Sequence, residues 1–341
     1  MAEIYSVALG RAELDLLNFK KQIIFIILGI ILFFSLVFFD YHSLRSYSKY
    51  FYILGLVLLI GVLFFGQTIR GTKGWYNLAG FNLQPVEFIK LVLILFLAKY
   101  FSSASPKTKE FKRLLISGSG ALLLIILVLA QPDFGSAFVL FLSWLSMIVL
   151  VGFNKKYLLA IGLILAIVFS GAWHFALEDY QKQRIITFLN PSFNPLSQGC
   201  NVSQAIIAVG AGRLAGRGLG FGSQSQLKFL PEAQTDFIFA VVAEELGFSG
   251  VLLILLFFGI FFYRCLYHLK RINNDFGVFF ILGALSLIFI EMFINIGMNL
   301  GILPVVGISL PFLSYGGSGL ISSLMLVGVV ESIIIRSKVN Y

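Results

Sequence analysis

The sequence predicts an all-α polytopic membrane protein, and three observations carry that expectation. The 341 residues are 59% hydrophobic and 12% charged, whereas a soluble domain carries about 25% charged residues. Phe alone supplies 37 positions. Apolar runs of near-bilayer length recur along the chain, and about 20 residues at 1.5 Å rise are needed to cross roughly 30 Å of hydrocarbon. A transmembrane barrel would show weaker, alternating segments of about ten residues, a pattern these runs do not have.

Met1 to Lys20 is mixed polar sequence, too short to span, and the run after it has no signal-peptide cleavage pattern behind it. Apolar runs follow at about 22–39, 51–66, 86–101, 114–130, 134–152, 157–175, 237–263, 277–300 and 318–335, giving nine predicted transmembrane helices. A long polar segment, 176–236, precedes the seventh. Cys200 lies in that long polar segment and Cys265 at the opposite end of the following span, so with a membrane between them they cannot pair, and no metal-ligand spacing is present.

Loop charge orients the spans. With the N-terminus outside, the inner loops hold Arg45 and Lys49; Lys107, Lys109, Lys112 and Arg113; Lys155 and Lys156; Arg264, Lys270 and Arg271; and Arg336 and Lys338. Every inner loop is then basic, as the positive-inside rule asks; Lys20 and Lys21 argue locally the other way. The formal charge of +9 thus reflects orientation and contact with anionic lipid, and it does not indicate nucleic acid. Four segments fall outside: 66–85, the turn at 131–135, the long 176–236 segment and 301–317. Most of the prolines lie there, as shaped, non-helical backbone requires, so the functional surface is expected to be extracytoplasmic.

The outer segments carry the candidate residues. Leu230-Pro231-Glu232-Ala233-Gln234-Thr235-Asp236 closes the long polar segment and runs straight into the seventh span. A helix beginning there places Asp236, Ala240 and Glu244 at i, i+4 and i+8 on one face. Acids at membrane depth face a cavity, a partner or a substrate. In Gln84-Pro85-Val86-Glu87-Phe88-Ile89-Lys90, proline suits the first helical turn, and Glu87 and Lys90 at i, i+3 can pair with each other or meet a ligand. Lys73 and Trp75 lie in the first outer segment, where Trp at a span end is ordinarily an interfacial anchor. Asp133 is accounted for as an N-cap.

The 176–236 segment carries Arg184, Arg213 and Arg217 among glycines from Gly210 to Gly222. Arginine can bind phosphate oxygens and glycine allows close backbone approach, although a loose loop with solvated cations has the same composition. An amphipathic stretch at 204–209 fits the membrane interface. Glu291, Asn295 and Asn299 form an i, i+4, i+8 stripe on an otherwise apolar helix, which cannot face lipid cheaply and can hydrogen-bond between helices. Last, 303–319 has two prolines and four glycines in apolar sequence. It reads as broken helix that lines a cavity or is buried in protein, and it includes Ser314.

At these motifs the chain resembles the SEDS family of cell-wall proteins, to which RodA, FtsW and SpoVE belong. The resemblance runs from about Phe19 to Ile335. It rests on Gln84-Pro85-x-Glu87, Gln131-Pro132-Asp133-Phe134-Gly135, Phe229-Leu230-Pro231-Glu232, Thr235-Asp236-Phe237-Ile238-Phe239-Ala240, Glu244-Glu245-Leu246-Gly247 and Leu313-Ser314-Tyr315-Gly316-Gly317-Ser318. Tyr180-Gln181-Lys182-Gln183-Arg184 and Ser223-Gln224-Ser225-Gln226-Leu227 look more like the elongation member than the division member. The resemblance implies one SEDS-type membrane domain over 1–341 in the bacterial plasma (inner) membrane. Its implied activity is a peptidoglycan glycosyltransferase that polymerises lipid II on the outer face, for cell elongation and shape. Its implied partners are a class B penicillin-binding protein and other elongation or division membrane proteins.

The resemblance puts the family's essential aspartate on Asp236 and its loop tryptophan on Trp75. Family members usually have ten spans. Here the first is missing, and Ile4-Tyr5-Ser6 resembles its outer end. Gly74, Gln234 and Cys200 stand where Arg, His and Tyr are usual.

Joining two sugars at the expense of a polyprenyl pyrophosphate needs a base near the acceptor hydroxyl and cations for the leaving group. Asp236 is expected as that base or as ligand to a divalent cation, Mg or Mn. Lys73, Lys90, Arg184, Arg213 and Arg217 are the candidate cations. Glu87, Glu244 and Glu291 are expected to share the cavity and to raise Asp236 by like charge and desolvation, with Trp75, Asn295 and Ser314 completing the substrate-binding set. Two other readings stand beside this one. A lipid II flippase also needs broken helices and intramembrane acids, and a scaffold would only recruit the transpeptidase.

Overall fold

The computed structural model describes residues 17–69, 71–78, 81–104, 109–175, 182, 198–227, 229–230 and 232–339. Helices α1 (Leu17–Phe38) and α2 (Tyr41–Phe65) open the chain, followed by strands β1 (Gln67–Ile69), β2 (Thr72–Leu78) and β3 (Phe81–Leu83). Helices α3 (Pro85–Ser103), α4 (Glu110–Leu129), α5 (Phe134–Val151) and α6 (Lys155–Phe175) come next. The chain continues with α7 (Gln198–Ala211), the short α8 (Ser223–Gln226), α9 (Ile238–Leu269), α10 (Asp275–Asn299) and α11 (Gly317–Val339). A helix covers each of the nine apolar runs. Among the described residues, seven are long and apolar enough to cross a membrane by themselves. The other two are α6 and α3, and α3 carries Glu87, Lys90 and Lys99 along its length.

Local chemistry sets several boundaries. Asp40 accepts the His42 N–H at 3.0 Å and so caps α2. That hydrogen bond holds its carboxyl below the usual carboxylate range. Pro85 opens α3 at the position where its missing N–H costs nothing. Asp133 accepts both the amide and the hydroxyl of Ser136, at 3.0 and 2.8 Å, which makes it the N-cap of α5. Asn274 does the same for α10 through Phe276.

The predicted shaped backbone between α2 and α3 is a three-stranded antiparallel sheet, with Gln67 opposite Trp75 and Tyr76 opposite Leu83. Its anchors are polar. The Tyr76 hydroxyl donates to the Leu58 carbonyl at 3.0 Å, and the Lys73 N–H donates to the Gln131 carbonyl at 3.2 Å.

Helix α10 lies at the centre. Phe276, Phe280, Ile281, Ala284, Ile288 and Ile294 on it are buried among residues of α3, α5, α9 and α11. A second core, with Leu59, Leu93, Leu97, Leu124, Leu140 and Met147, joins α2, α3, α4 and α5. Helix α1 packs against α11 at the other end of the sequence. There Arg336 donates to the carbonyls of Val37 and Phe38, and Ser332 to that of Phe39. The carbonyls left open where α1 ends are thus satisfied by α11.

One expectation is corrected. Asp236 is not on a helix. It sits in a turn over 232–237, in which Thr235 and Phe237 donate to the Glu232 carbonyl, and α9 begins only at Ile238. The i, i+4, i+8 face therefore does not include Asp236. Helix α9 is itself broken, because Gly247 has φ 67° and ψ −162°.

Candidate active site

The stripe on α10 organises the site. Glu291, Asn295 and Asn299 are all buried, the two asparagines completely. Asn295 Nδ2 donates to the Asp236 carbonyl at 3.0 Å and to the Ile308 carbonyl at 2.7 Å. Asn299 Nδ2 donates to the same Asp236 carbonyl at 3.0 Å, and Asn299 Oδ1 accepts the Ala240 N–H at 3.2 Å. Phe237, the N-cap residue of α9, has no side-chain acceptor. Asn299 supplies that acceptor from a neighbouring helix. Of these bonds only the one from Ala240 to Asn299 joins two helices; those to the Asp236 carbonyl fix the backbone of the turn.

Glu291 does something else. Its carboxylate receives the Lys90 ammonium at 2.6 Å, while Glu87 receives it at 2.8 Å. The expected Glu87–Lys90 pair is therefore a trio with a second carboxylate. Lys90 is 3% exposed, and an ammonium at that depth requires such partners. Ser322 on α11 adds a hydrogen bond to the Glu87 carbonyl at 2.7 Å.

The broken segment 301–316 closes the space above this trio. Ser314 Oγ donates to the Thr235 carbonyl at 2.7 Å and accepts the Leu310 N–H at 2.8 Å. Tyr315 N–H donates to the Gln234 carbonyl at 2.8 Å. The segment and the aspartate turn are therefore hydrogen-bonded side by side. Helix α1 joins them: Asn18 donates to the Gln234 side chain at 3.0 Å, and Gln22 accepts the Gly316 N–H at 3.4 Å. The cleft that results is lined by Glu87, Glu291, Ser309, Ser314 and Ser323, with Phe312 and Leu320 among its apolar walls. The half-buried Asp236 carboxylate lies against the broken segment at Gly307, where a Cβ would stand 3.6 Å from Oδ2.

Of the sequence-derived candidates, Glu87, Lys90, Glu291, Asn295, Ser314 and the Asp236 turn come together. Lys73 and Trp75 are half-buried on β2 and do not line the cleft. Glu244 does not share the cavity either. It accepts the N–H groups of Gln224 and Ser225 at 2.9 and 3.2 Å and the Ser223 hydroxyl at 3.3 Å, and so holds the loop around α8. Arg217 bonds Ser223, and Arg213 and Arg217 are both exposed outside the cleft lining. Arg184, Pro231 and Ile4-Tyr5-Ser6 lie outside the described residues. Sequence reasoning missed Ser309 and Ser323. Ser318 and Ser322, a helical turn apart on α11 with Ser323 next to them, were the available signal for Ser323.

The family model described as a cell cycle protein, FtsW/RodA/SpoVE, matches residues 3–339. The chain belongs to that family. It is 39% identical over 322 residues to the stage V sporulation protein E of Bacillus subtilis, covering 92% of this chain and 86% of the relative. It is 38% identical to the peptidoglycan glycosyltransferase MrdB of Escherichia coli K12, over 85% of this chain and 78% of that one. Among solved structures, a chain from a peptidoglycan synthase complex that coordinates polymerization and crosslinking aligns with TM-score 0.82 and 28% identity. That alignment covers 98% of this chain and 96% of that one. RodA of Thermus thermophilus aligns with TM-score 0.70 and 26% identity, over 98% and 95%. The structure is mostly helical and, like its RodA relative, a multi-pass membrane architecture, with the small sheet between α2 and α3 as the departure from the all-α expectation.

Proposed function

We propose that this chain polymerises lipid II into glycan strands at the outer face of the bacterial plasma membrane, in the elongation machinery, with Asp236 as general base. The coarser statement rests on the relatives named peptidoglycan glycosyltransferase: the chain is a membrane-embedded peptidoglycan glycosyltransferase. The observation that carries the finer reading is the double grip of Asn295 and Asn299 on the Asp236 carbonyl. A backbone held by two buried side chains beside a polar cleft supports that reading, since an acid–base group needs a fixed position.

In this reading Asp236 takes the proton from the acceptor sugar hydroxyl as that oxygen forms the new glycosidic bond. The bond from the anomeric carbon to the pyrophosphate breaks, and the pyrophosphate leaves as an anion that needs little acid help. Glu87, Glu291 and the serine hydroxyls of the cleft are acceptors and donors for sugar hydroxyls. Lys90 is the proposed cation joined directly to the cleft's carboxylates. Among the described residues no three His, Cys, Asp or Glu gather into a metal site. A single carboxylate completed by substrate phosphates still suits Mg or Mn, which would supply Lewis-acid stabilisation of the pyrophosphate, with Asp236 as the protein ligand. The elongation role is supported by the resemblance of 180–184 and 223–227 to RodA. The crosslinking partner is a class B penicillin-binding protein, in keeping with the synthase-complex relative.

The test is polymerisation of labelled lipid II by the purified chain with its transpeptidase. Asp236→Asn keeps the shape and removes the basicity, and is expected to lose activity by at least a hundredfold. Wild-type polymer yield from Asp236→Asn or Asp236→Ala would overturn the assignment. Movement of lipid II across proteoliposomes without polymer would establish a flippase instead.

A further inference from the structure

The glycine-rich stretch after α7 is locked to α9 by its backbone. The N–H groups of Phe248 and Ser249 donate to the carbonyls of Arg213 and Leu214 at 2.9 and 3.1 Å. In return, the N–H groups of Arg217 and Gly218 donate to the carbonyls of Glu244 and Glu245 at 3.0 and 2.9 Å. The break at Gly247 frees those α9 groups for pairing. A Cβ at Gly247 would run into the Gly216 nitrogen, and one at Gly216 into the Glu245 carbonyl. The two backbones therefore touch, and the loop's depth is the depth of residues 244–249.

That depth can be calculated. From Ser249 to Arg264, the first cation at the other end of α9, is fifteen helical residues, about 22 Å at 1.5 Å per residue. The hydrocarbon core is roughly 30 Å thick. Ser249, and the Leu214 carbonyl bonded to it, therefore lie within the hydrocarbon's far edge, and any tilt of α9 places them deeper. Helix α9 offers lipid an exposed face there, with Phe248, Leu252, Leu253 and Leu256 all more than half exposed. The loop continues that face: Leu214 and Phe221 are each 77% exposed and Leu219 is 49% exposed. Arg213 and Arg217 are exposed among them.

We propose that Arg213–Phe221 is a membrane-seated loop. Leu214, Leu219 and Phe221 enter the acyl edge of the bilayer at the cleft's end of the bundle, and Arg213 and Arg217 bind the phosphates of anionic phospholipid headgroups. Apolar side chains interleaved with guanidinium groups at that depth match an interfacial anchor. On this view the two arginines serve the bilayer rather than the pyrophosphate of the substrate. The assignment holds whatever reaction the cleft performs.

The experiment uses the full chain in proteoliposomes without its partner. Phe221→Trp is compared with the parent, whose three native Trp residues give the background. Lipids brominated on the acyl chain near the headgroup are expected to quench the added tryptophan strongly, and lipids brominated near the chain end weakly. Replacing phosphatidylcholine by phosphatidylglycerol is expected to raise the unfolding midpoint, and Arg213→Gln/Arg217→Gln to remove at least half of that gain. Quenching by aqueous iodide but not by bromolipid would overturn the proposal and leave the loop in water for a protein partner. With the transpeptidase added for a polymerisation assay, a several-fold rise in KM for lipid II in the double variant, equal in both lipids, would overturn it in favour of the substrate's own pyrophosphate.

Discussion

Asn299 holds Asp236 by its backbone, donating to the Asp236 carbonyl at 3.0 Å while its own oxygen receives the Ala240 N–H. The candidate base is therefore positioned by α10 and not by the helix it precedes. Asn299→Leu removes both bonds; the Asp236 carbonyl keeps Asn295 as its donor, while the buried Ala240 amide loses its side-chain acceptor, at about 1–3 kcal/mol. The expected outcome is a lowered unfolding midpoint together with a fall in kcat larger than any change in KM. Unchanged kcat would separate the clamp from the reaction.

The trio at Lys90 makes a second prediction. Lys90→Met leaves Glu87 and Glu291 facing each other without a counter-charge, and breaking a buried pair costs about 3–5 kcal/mol. The double variant Lys90→Met/Glu291→Leu removes one of the orphaned carboxylates and is expected to unfold at a higher temperature than Lys90→Met alone. Equal midpoints for the two variants would show that the ammonium does not neutralise Glu291.

Gly247 tests the interlock. At φ 67°, and with its α-hydrogen face against Gly216, alanine brings both backbone strain of order 1–3 kcal/mol and a clash. Gly247→Ala is expected to loosen the 213–218 loop first, seen as faster hydrogen exchange at Arg217, Gly218, Phe248 and Ser249. Protection unchanged at those four amides would count against the lock.

Glu244 is assigned to loop order and not to chemistry. Glu244→Gln is expected to keep at least half of the polymerisation rate while amide exchange at Gln224 and Ser225 rises about tenfold or more, the equivalent of one lost charged hydrogen bond. Loss of activity without loss of protection would return Glu244 to the site.

How much of this was legible in the sequence depends on the range of the interactions. The spans were legible because hydrocarbon imposes a single rule, about 20 apolar residues, on each segment separately. The Glu87–Lys90 pair was legible because i, i+3 spacing is local, as was the Asp133 cap. The stripe at 291, 295 and 299 announced that something polar faced it, and its partners could not be read, since Asp236 and Ile308 reach it from other segments of the chain. The helix drawn through Asp236 failed for a related reason. Periodicity continued past the true start, and the cap that fixes that start is donated by Asn299, far along the chain. Short strands in a three-stranded sheet were hidden because Gly71 to Leu78 has no clean alternation to set against its turn residues.

The pairing of α1 with α11 has a consequence for how the protein is made. The carbonyls of Val37, Phe38 and Phe39 wait for Ser332 and Arg336, and Gln22 waits for Gly316. At 5–20 residues per second, the ribosome takes on the order of 15–60 s to go from one helix to the other. During that interval the first helix sits in the bilayer with its packing face open to lipid or to whatever insertion factor shelters it. The wall that Asn18 and Gln22 contribute beside the cleft is thus completed only once α11 has been made, so no nascent chain that still lacks α11 holds a finished site.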